Sequence, residues 1–385
     1  MLSQKQVKGQ KMKTNFKHLV CCVLFITLYC ASNGSCDQWE PVPEEKYLAI
    51  LETIALQTKA NYEKISTWEG KLDIVDKIDI YGDRCKKYID PAVESNHIRE
   101  IATSKTVFAK DLINDKLYCN HEPKVEFIAV DLNQSVPKAP NLAFSRSTSI
   151  VTPEEFLIYT PDVNFAGTPS IPMSYKGACK RAFRNPPEQA KDRLKADIYE
   201  PGHFFTFGGE KTWETISLVI KEVSQLGNVT IAGRPHLSIF ENKQANSKQY
   251  KIVTVWKTGK DIEEYYGLIE LVVDSADGFN VKTVKSSIQP GDWRQYSKEM
   301  TYEKIGGIFV PKTCHEITIM ADNKPSVENK IVFEKSTINK PIPEETFTYE
   351  SLGLENGVRF VDNIKTIEYR YENGKLVPES EKIRN

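Results

Sequence analysis

The sequence has no marked excess of charge of either sign, since 51 Lys and Arg stand against 52 Asp and Glu. No long basic run occurs, so nothing in the composition indicates a nucleic-acid partner. With 40% hydrophobic residues and 20 Gly and 20 Pro in 385 positions, the chain is neither collagen-like nor poor enough in apolar residues to be disordered throughout. These absences leave a globular protein with enough chain for a sizeable core.

The common catalytic motifs are also lacking. No G-x-S-x-G, H-E-x-x-H, Walker A or EF-hand pattern occurs. The pairs His121-Glu122 and His315-Glu316 lack a second His four residues later, and no C-x-x-C spacing supports a metal site. We therefore expect no enzyme activity, no cofactor and no metal. An enzyme of an unrecognised class, using His121, His203 or His315, is the least favoured alternative.

The N-terminal segment has the pattern of a secretory signal peptide. Five lysines and no acidic residue precede or adjoin the apolar run Leu19–Ala31, and small residues follow it. The run is shorter than the roughly 20 residues that span a bilayer. We predict a signal peptide over residues 1–34, with Met12 as an alternative start and an uncleaved anchor as the alternative fate. A lipid anchor at Cys36 is less favoured, because Asn33 stands where a lipoprotein signal has Leu.

Export predicts a periplasmic or extracytoplasmic bacterial location. Loss of residues 1–34 removes five lysines and leaves a net charge of about -6, which disfavours anionic membrane surfaces. No later segment is apolar for long enough to span a membrane. An oxidising compartment would allow one or two disulfides among the remaining cysteines, and buried thiols are the alternative. Those cysteines are Cys85, Cys119, Cys179 and Cys314.

The periodicity predicts two helices and many strands. Apolar residues recur at helical spacing over 43–65 and 213–226. Most of the chain after Gly227 alternates with period two, with hairpin turns at 274–278 and at Asn373-Gly374. Successive strands with short turns indicate an antiparallel meander, which curls into a barrel or half-barrel. We predict one domain over 35–385, with a Pro-rich insertion near 132–195 that holds a short helix at Pro153–Tyr159.

Aromatic and aliphatic residues on the strand-like segments are either ordinary core or the lining of a concave apolar surface. A half-open barrel has more apolar interior than two helices easily cover, and such a cavity suits an acyl chain. The candidate cavity-lining residues are Trp68, Leu72, Ile74, Phe127, Phe205, Phe207, Val253, Trp256 and Phe309.

Several segments resemble a known family. They are the strand Ile65–Leu72, the stretch Tyr302–Pro311, the N-x-P-I-P segment from Asn339 to Phe347, and the ending Ser351–Asp362. Together with the N-terminal signal and helix, they resemble the outer-membrane lipoprotein-sorting (LolA-like) proteins, in particular a large uncharacterised secreted bacterial branch. The family's ligand-contacting arginine has no clear counterpart here.

The resemblance implies an α+β, mainly β fold, a curved antiparallel half-barrel with helices covering its concave face. It also implies an exported protein that binds a hydrophobic ligand, a lipid or a lipoprotein acyl chain, in that half-barrel. The alternative is an envelope protein-interaction or sensor module without catalysis, whose partner would be another protein.

Overall fold

The computed structural model describes residues 39–90, 92–137, 146–161, 178–183, 211–226, 230–231, 234–257, 266–289, 294–320 and 325–380. The helices in these ranges are α1 (Tyr47–Tyr62) and α2 (Thr212–Leu226). The strands are β1 (Trp39–Pro41), β2 (Thr67–Tyr81), β3 (His97–Asp111), β4 (Lys116–Ala129), β5 (Gln134–Val136), β6 (Ser147–Val151), β7 (Glu155–Thr160), β8 (Ala178–Phe183), β9 (Thr230–Ile231), β10 (Arg234–Pro235), β11 (Leu237–Asn242), β12 (Gln249–Lys257), β13 (Tyr266–Asp274), β14 (Asn280–Gln289), β15 (Arg294–Ile305), β16 (Ile308–Met320), β17 (Pro325–Ile338), β18 (Arg359–Asp362), β19 (Ile367–Glu372) and β20 (Lys375–Ser380).

Nearly all of these strands belong to one open sheet. The strands β11 to β17 form a continuous antiparallel meander, with β1 at its outer edge beside β11. The last meander strand, β17, pairs with β2, and the sheet continues through β3, β4, β6, β7 and β8. The short pair β8–β18 is parallel, and β19 and β20 complete the sheet. The predicted mainly β, open antiparallel half-barrel is confirmed.

The concave side of the sheet holds the main hydrophobic core. Inward side chains from β2, β3, β4, β6 and β11 to β17 join one buried cluster with residues of α1 and α2. Strands that far apart in the sheet share a core only because the sheet curves around the helices. The centre of the core is Trp68, which stacks on Phe333 at 5.1 Å and meets Phe108 edge-on at 4.9 Å between ring centroids.

Helix α1 is fixed across the concave side by its own polar residues. Asn61 donates from Nδ2 to the Phe309 carbonyl at 2.8 Å and accepts the Phe309 N–H on Oδ1 at 2.9 Å. β16 pairs with β17 only from Thr313 onward, so Asn61 takes the place of a neighbouring strand at Phe309. Tyr62 reinforces this contact by donating to Asn280 Oδ1 at 2.8 Å.

The connection from α1 to β2 is held by Asn339, which follows β17. Its side chain accepts the Ser66 N–H at 2.7 Å and donates to the Lys64 carbonyl at 2.8 Å. Its backbone has a positive φ of 56°, a conformation that Asn tolerates better than most residues. The Asn of the N-x-P-I-P segment is therefore a structural residue that joins the end of β17 to the start of β2.

Two smaller cores lie outside the half-barrel centre. One packs β6, β7, β8 and β18 against the 3-10 segments Glu344–Phe347 and Tyr349–Leu352. The other lies at the far ends of β2, β3 and β4, where Ile80, Ile98 and Phe127 surround the buried Cys85 of the 3-10 segment Gly82–Lys87. The long strands β2, β3 and β4 thus contribute side chains to the main core at one end and to this smaller core at the other.

Most predicted elements agree with the structure, and one does not. The two predicted helices correspond to α1 and α2, and both predicted hairpin turns join consecutive strands. The helix predicted at Pro153–Tyr159 is wrong, because residues 155–160 form β7 between β6 and β8. Cross-strand pairing there overrides a weak local pattern, so part of the Pro-rich segment contributes to the main sheet.

No disulfide joins the cysteines in the described part of the chain. Of Cys85, Cys119, Cys179 and Cys314, all but Cys119 are buried. Burial raises the pKa of Cys179 and of Cys314 to about 12, which keeps both protonated and unreactive at neutral pH. The structure therefore corresponds to the buried-thiol alternative.

We predict that Asn61→Ala destabilises the protein by about 2–4 kcal/mol, because two backbone groups of Phe309 lose their partners at a largely buried position. Gln57→Ala, an exposed change one turn earlier on α1, should shift the free energy of unfolding by less than about 0.5 kcal/mol. Denaturant unfolding of the two variants measures the difference. Equal stability of both variants would contradict the structural role of Asn61.

Candidate ligand-binding site

The described part of the chain contains a cleft of about 580 Å³. It lies between the segment that includes β1, the N-terminal half of α1, and the edge of the sheet at β11 and β12. Pro43 precedes the short 3-10 turn Glu44–Lys46, and α1 follows that turn. The cleft lies between this start of α1 and the edge of the sheet. The cleft is thus formed where the covering helix begins.

Part of the cleft wall is apolar and aromatic. Val42 and Ile50 come from the N-terminal segment and α1, and Tyr250 and Phe279 come from the sheet side. The Tyr250 and Phe279 rings stack with centroids 6.4 Å apart. Pockets of about 300–1,000 Å³ with apolar and aromatic walls are typical of small-molecule sites, so the cleft has suitable size and chemistry.

The rim of the cleft carries charges of both signs. Glu241 forms an ion pair with Lys243, which leaves Lys46, Lys248 and Glu40 as the other charged lining residues. No ion pair to Lys46 or Lys248 is found within the ranges that the structure describes. Burial, together with the charge of Glu241, raises the pKa of Tyr250, so its hydroxyl is a neutral hydrogen-bonding group at physiological pH.

The β13–β14 hairpin that presents Phe279 is organised by Asp274. Its carboxylate accepts hydrogen bonds from Ser247 at 2.6 Å, Gln249 at 2.7 Å and the Ala276 N–H at 2.8 Å. Burial alone would raise the pKa of Asp274, but these hydrogen bonds and the charge of Lys282 outweigh it and lower the pKa. The ionised carboxylate therefore stabilises the hairpin beside the cleft.

The second cavity, of about 300 Å³, opens beside the 3-10 segment at 344–347. Its lining includes Glu69, Lys71, Lys335 and Tyr118 around a small apolar patch formed by Val107. It is smaller and more open than the cleft, so it is the weaker candidate for a ligand site.

None of the predicted cavity-lining residues whose side chains are described is among those that line the cleft. Trp68, Leu72 and Ile74 lie on the concave face but are buried in the packed core. Phe127 belongs to the separate core at the far ends of β2 to β4. Ligand contact by any of these four side chains stays a prediction.

The remaining predicted residues lie elsewhere. Val253 alternates along β12 with the buried core residue Ile252, so it points to the other face of the sheet. Phe309 is half-buried on β16, where Asn61 contacts its backbone. Trp256 lies on β12, and nothing about its side chain is described. Phe205 and Phe207 lie outside the described residues.

Sequence reasoning missed the residues that do line the cleft. Tyr250 was within reach, because it shares the period-two face of β12 with Ile252. Val42 and Ile50 lie in or beside a segment that the sequence places correctly near the first helix. Their approach to Phe279, more than 200 positions away, depends on pairing of β1 with β11, which no local pattern reveals.

Two searches of the described residues identify no further kind of site. No group of three or more His, Cys, Asp or Glu side chains is arranged to hold a metal ion in the part of the chain that is described. Within the same residues, no helix combines the length and apolar character needed to cross a membrane.

No protein-family model and no curated protein matches the chain. Solved structures do match it. One from Vibrio parahaemolyticus, described as an outer membrane lipoprotein-sorting protein domain, is 9% identical with a TM-score of 0.28, over 79% of this chain and 98% of the other. A beta-barrel-like protein of a domain of unknown function from Brucella abortus is 6% identical with a TM-score of 0.17, over 71% and 98%. Likenesses at these scores establish neither a shared family nor a shared function.

We predict that acid weakens the hairpin beside the cleft. The pKa of Asp274 is lowered on folding, so its contribution is fully present above the unfolded-state pKa of about 3.9 and is lost as pH falls through the folded-state value. Between about pH 5 and pH 2 the free energy of unfolding should fall in both proteins, and the fall should be smaller in Asp274→Asn than in the wild type by on the order of 1 kcal/mol. Ser247→Ala, which removes one donor, should give an intermediate pH dependence.

Urea unfolding of the three proteins across that pH range measures the effect. An identical pH dependence for Asp274→Asn and wild type would contradict the role assigned to this carboxylate.

Proposed function

We propose that the protein is an exported, non-catalytic binding protein that takes a hydrophobic ligand in its half-barrel, at the cleft beside α1. The observation that carries this proposal is the cleft itself, a space of about 580 Å³ with apolar and aromatic walls that remains after α1 and the core have filled the neighbouring concave face. Trp68 and its neighbours pack against one another in a filled core. The cleft is therefore the space that remains for a ligand.

The chemistry of the rim favours an amphiphile with an acidic head group. The acyl part of such a ligand would contact Val42, Ile50, Tyr250 and Phe279, where each buried CH₂ contributes about 0.8 kcal/mol. Lys46 and Lys248 stand at the rim, where an ammonium group would attract a carboxylate or phosphate. A fatty acid or a single lipid acyl chain with its anionic head meets both requirements.

The N-terminal segment supports an extracytoplasmic location, because its lysines and short apolar run have the pattern of a signal peptide. A hydrophobic ligand is poorly soluble in water, so a protein that shields it outside the cytoplasm has a clear physical role. The absence of a catalytic motif in the sequence is consistent with binding alone.

We predict that Ala49→Trp weakens binding of a fluorescent fatty acid by at least about tenfold, because the indole occupies part of the cleft that the ligand needs. The matched control is Leu56→Trp, which adds a similar ring two turns further along the same side of α1, where the side chain is 65% exposed and does not line the cleft. The control should bind like the wild type. Fluorescence titration measures both affinities.

Equal binding by Ala49→Trp and Leu56→Trp would place the ligand elsewhere. If the wild type binds no fatty acid and instead retains one specific protein on purification, the half-barrel is an interaction module and the proposal is wrong.

A further inference from the structure

Two lysines stand next to each other on the convex side of the sheet. Lys71 of β2 and Lys335 of β17 are directly opposite residues, so their side chains share one face. That face is the convex one, because the next residue of β2, Leu72, belongs to the concave core. Neither ammonium group forms an ion pair with a described residue. Like charges directly opposite on adjacent strands are destabilising, so folding gives no reason for this arrangement.

A β-bulge in β17 creates the lysine pair. The pairing of β17 with β2 shifts between Phe333 and Lys335, and Glu334 has no partner on β2. Without the shift, Glu334 would stand opposite Lys71 and place a carboxylate beside the ammonium group. The bulge therefore exchanges a favourable pair for a like-charge pair. Bulges are over-represented beside active sites, where they re-aim a side chain, and here that side chain is Lys335.

Gly70 makes room for the bulge. A Cβ atom at this position of β2 would lie 2.6 Å from the Lys335 carbonyl oxygen and 2.9 Å from the Phe108 ring. Both distances are shorter than real Cβ contacts, so any side chain here would displace the bulged strand. The position of Lys335 thus depends on a glycine in the neighbouring strand.

The cavity of about 300 Å³ opens at this lysine pair. Both lysines line it, and the one carboxylate in its lining belongs to Glu69. Hydroxyl groups come from Tyr118, Thr337 and Thr346. The lining therefore has an excess of one positive charge together with neutral hydrogen-bonding groups. Its volume is at the lower end of the range for small-molecule sites, which suits a small polar ligand.

We propose that this cavity binds a small phosphate monoester that carries hydroxyl groups. A phosphate dianion matches two neighbouring ammonium groups, and each such contact is a charge-assisted hydrogen bond. The Glu69 carboxylate repels a bare anion but accepts hydrogen bonds from ligand hydroxyl groups, which favours a monoester over inorganic phosphate. The cavity lies on the face of the sheet opposite α1, so this inference does not depend on the function proposed for the cleft.

The test is a calorimetric titration of the purified protein with glycerol 3-phosphate, with inorganic phosphate and glycerol as the two halves of that probe. The wild type should bind glycerol 3-phosphate more tightly than inorganic phosphate, and glycerol should not bind. Lys71→Gln and Lys335→Gln should each weaken binding of glycerol 3-phosphate by about tenfold, because a charge-assisted hydrogen bond is lost.

The matched control is Lys330→Gln. It removes another exposed lysine of β17 that does not line the cavity, so it should leave the affinity within about twofold of the wild type. Glu69→Ala should bring the affinities for glycerol 3-phosphate and inorganic phosphate closer together, because the ligand hydroxyl groups lose their acceptor while the phosphate loses a repelling charge.

The three lysines are exposed, so their variants should fold like the wild type, and thermal unfolding verifies this. Failure of the wild type to bind glycerol 3-phosphate would overturn the proposal. Equal affinity for inorganic phosphate would do the same, since it removes the role of the hydroxyl groups. Affinities of Lys71→Gln and Lys335→Gln that match the Lys330→Gln control would place the ligand elsewhere on the protein.

Discussion

The two hydrogen bonds between Asn61 and the backbone of Phe309 are the contact on which the rest of the structure depends. They occupy the place of a missing neighbouring strand, so α1 is held as part of the sheet as well as packed against it. Among the described residues, the side chains of α1 that hydrogen-bond to the strands and turns of the sheet are Thr58, Asn61 and Tyr62, all in its C-terminal half. The N-terminal half packs on the core through Leu51 and Ile54, and the cleft lies between its start and the sheet edge.

The concave face is divided into levels along the strands. Near the helices it is an aromatic and aliphatic core centred on Trp68, and at mid-height it carries the polar side chains Lys298, Glu316, Asn329 and Asp76. At the far ends of β2 to β4 a separate core surrounds Cys85. One curved sheet thus supports two separate cores along the same long strands.

Much of the fold could be predicted from local pattern, and most of the site could not. The helical spacing before Tyr62 and the period-two alternation after Gly227 reflect burial of one face, which a single sequence records. The hairpin signals at 274–278 and Asn373-Gly374 depend on residues that tolerate positive φ, and those are equally local. The cleft depends on the pairing of β1 with β11, and the junction of the meander with the long strands depends on the pairing of β17 with β2, each across more than 200 residues. Val253 was also placed on the wrong face of the sheet by the sequence pattern. A shift of one residue in the alternation moves a side chain to the opposite face.

The central claim is that the protein carries a hydrophobic ligand in the half-barrel. Native mass spectrometry of the purified protein, followed by organic extraction of the bound material, tests it most directly. The account predicts a mass above that of the polypeptide and the recovery of one defined class of acidic amphiphile in a one-to-one ratio. A mass equal to that of the bare polypeptide, with no extractable lipid and a single co-purifying protein, would contradict it.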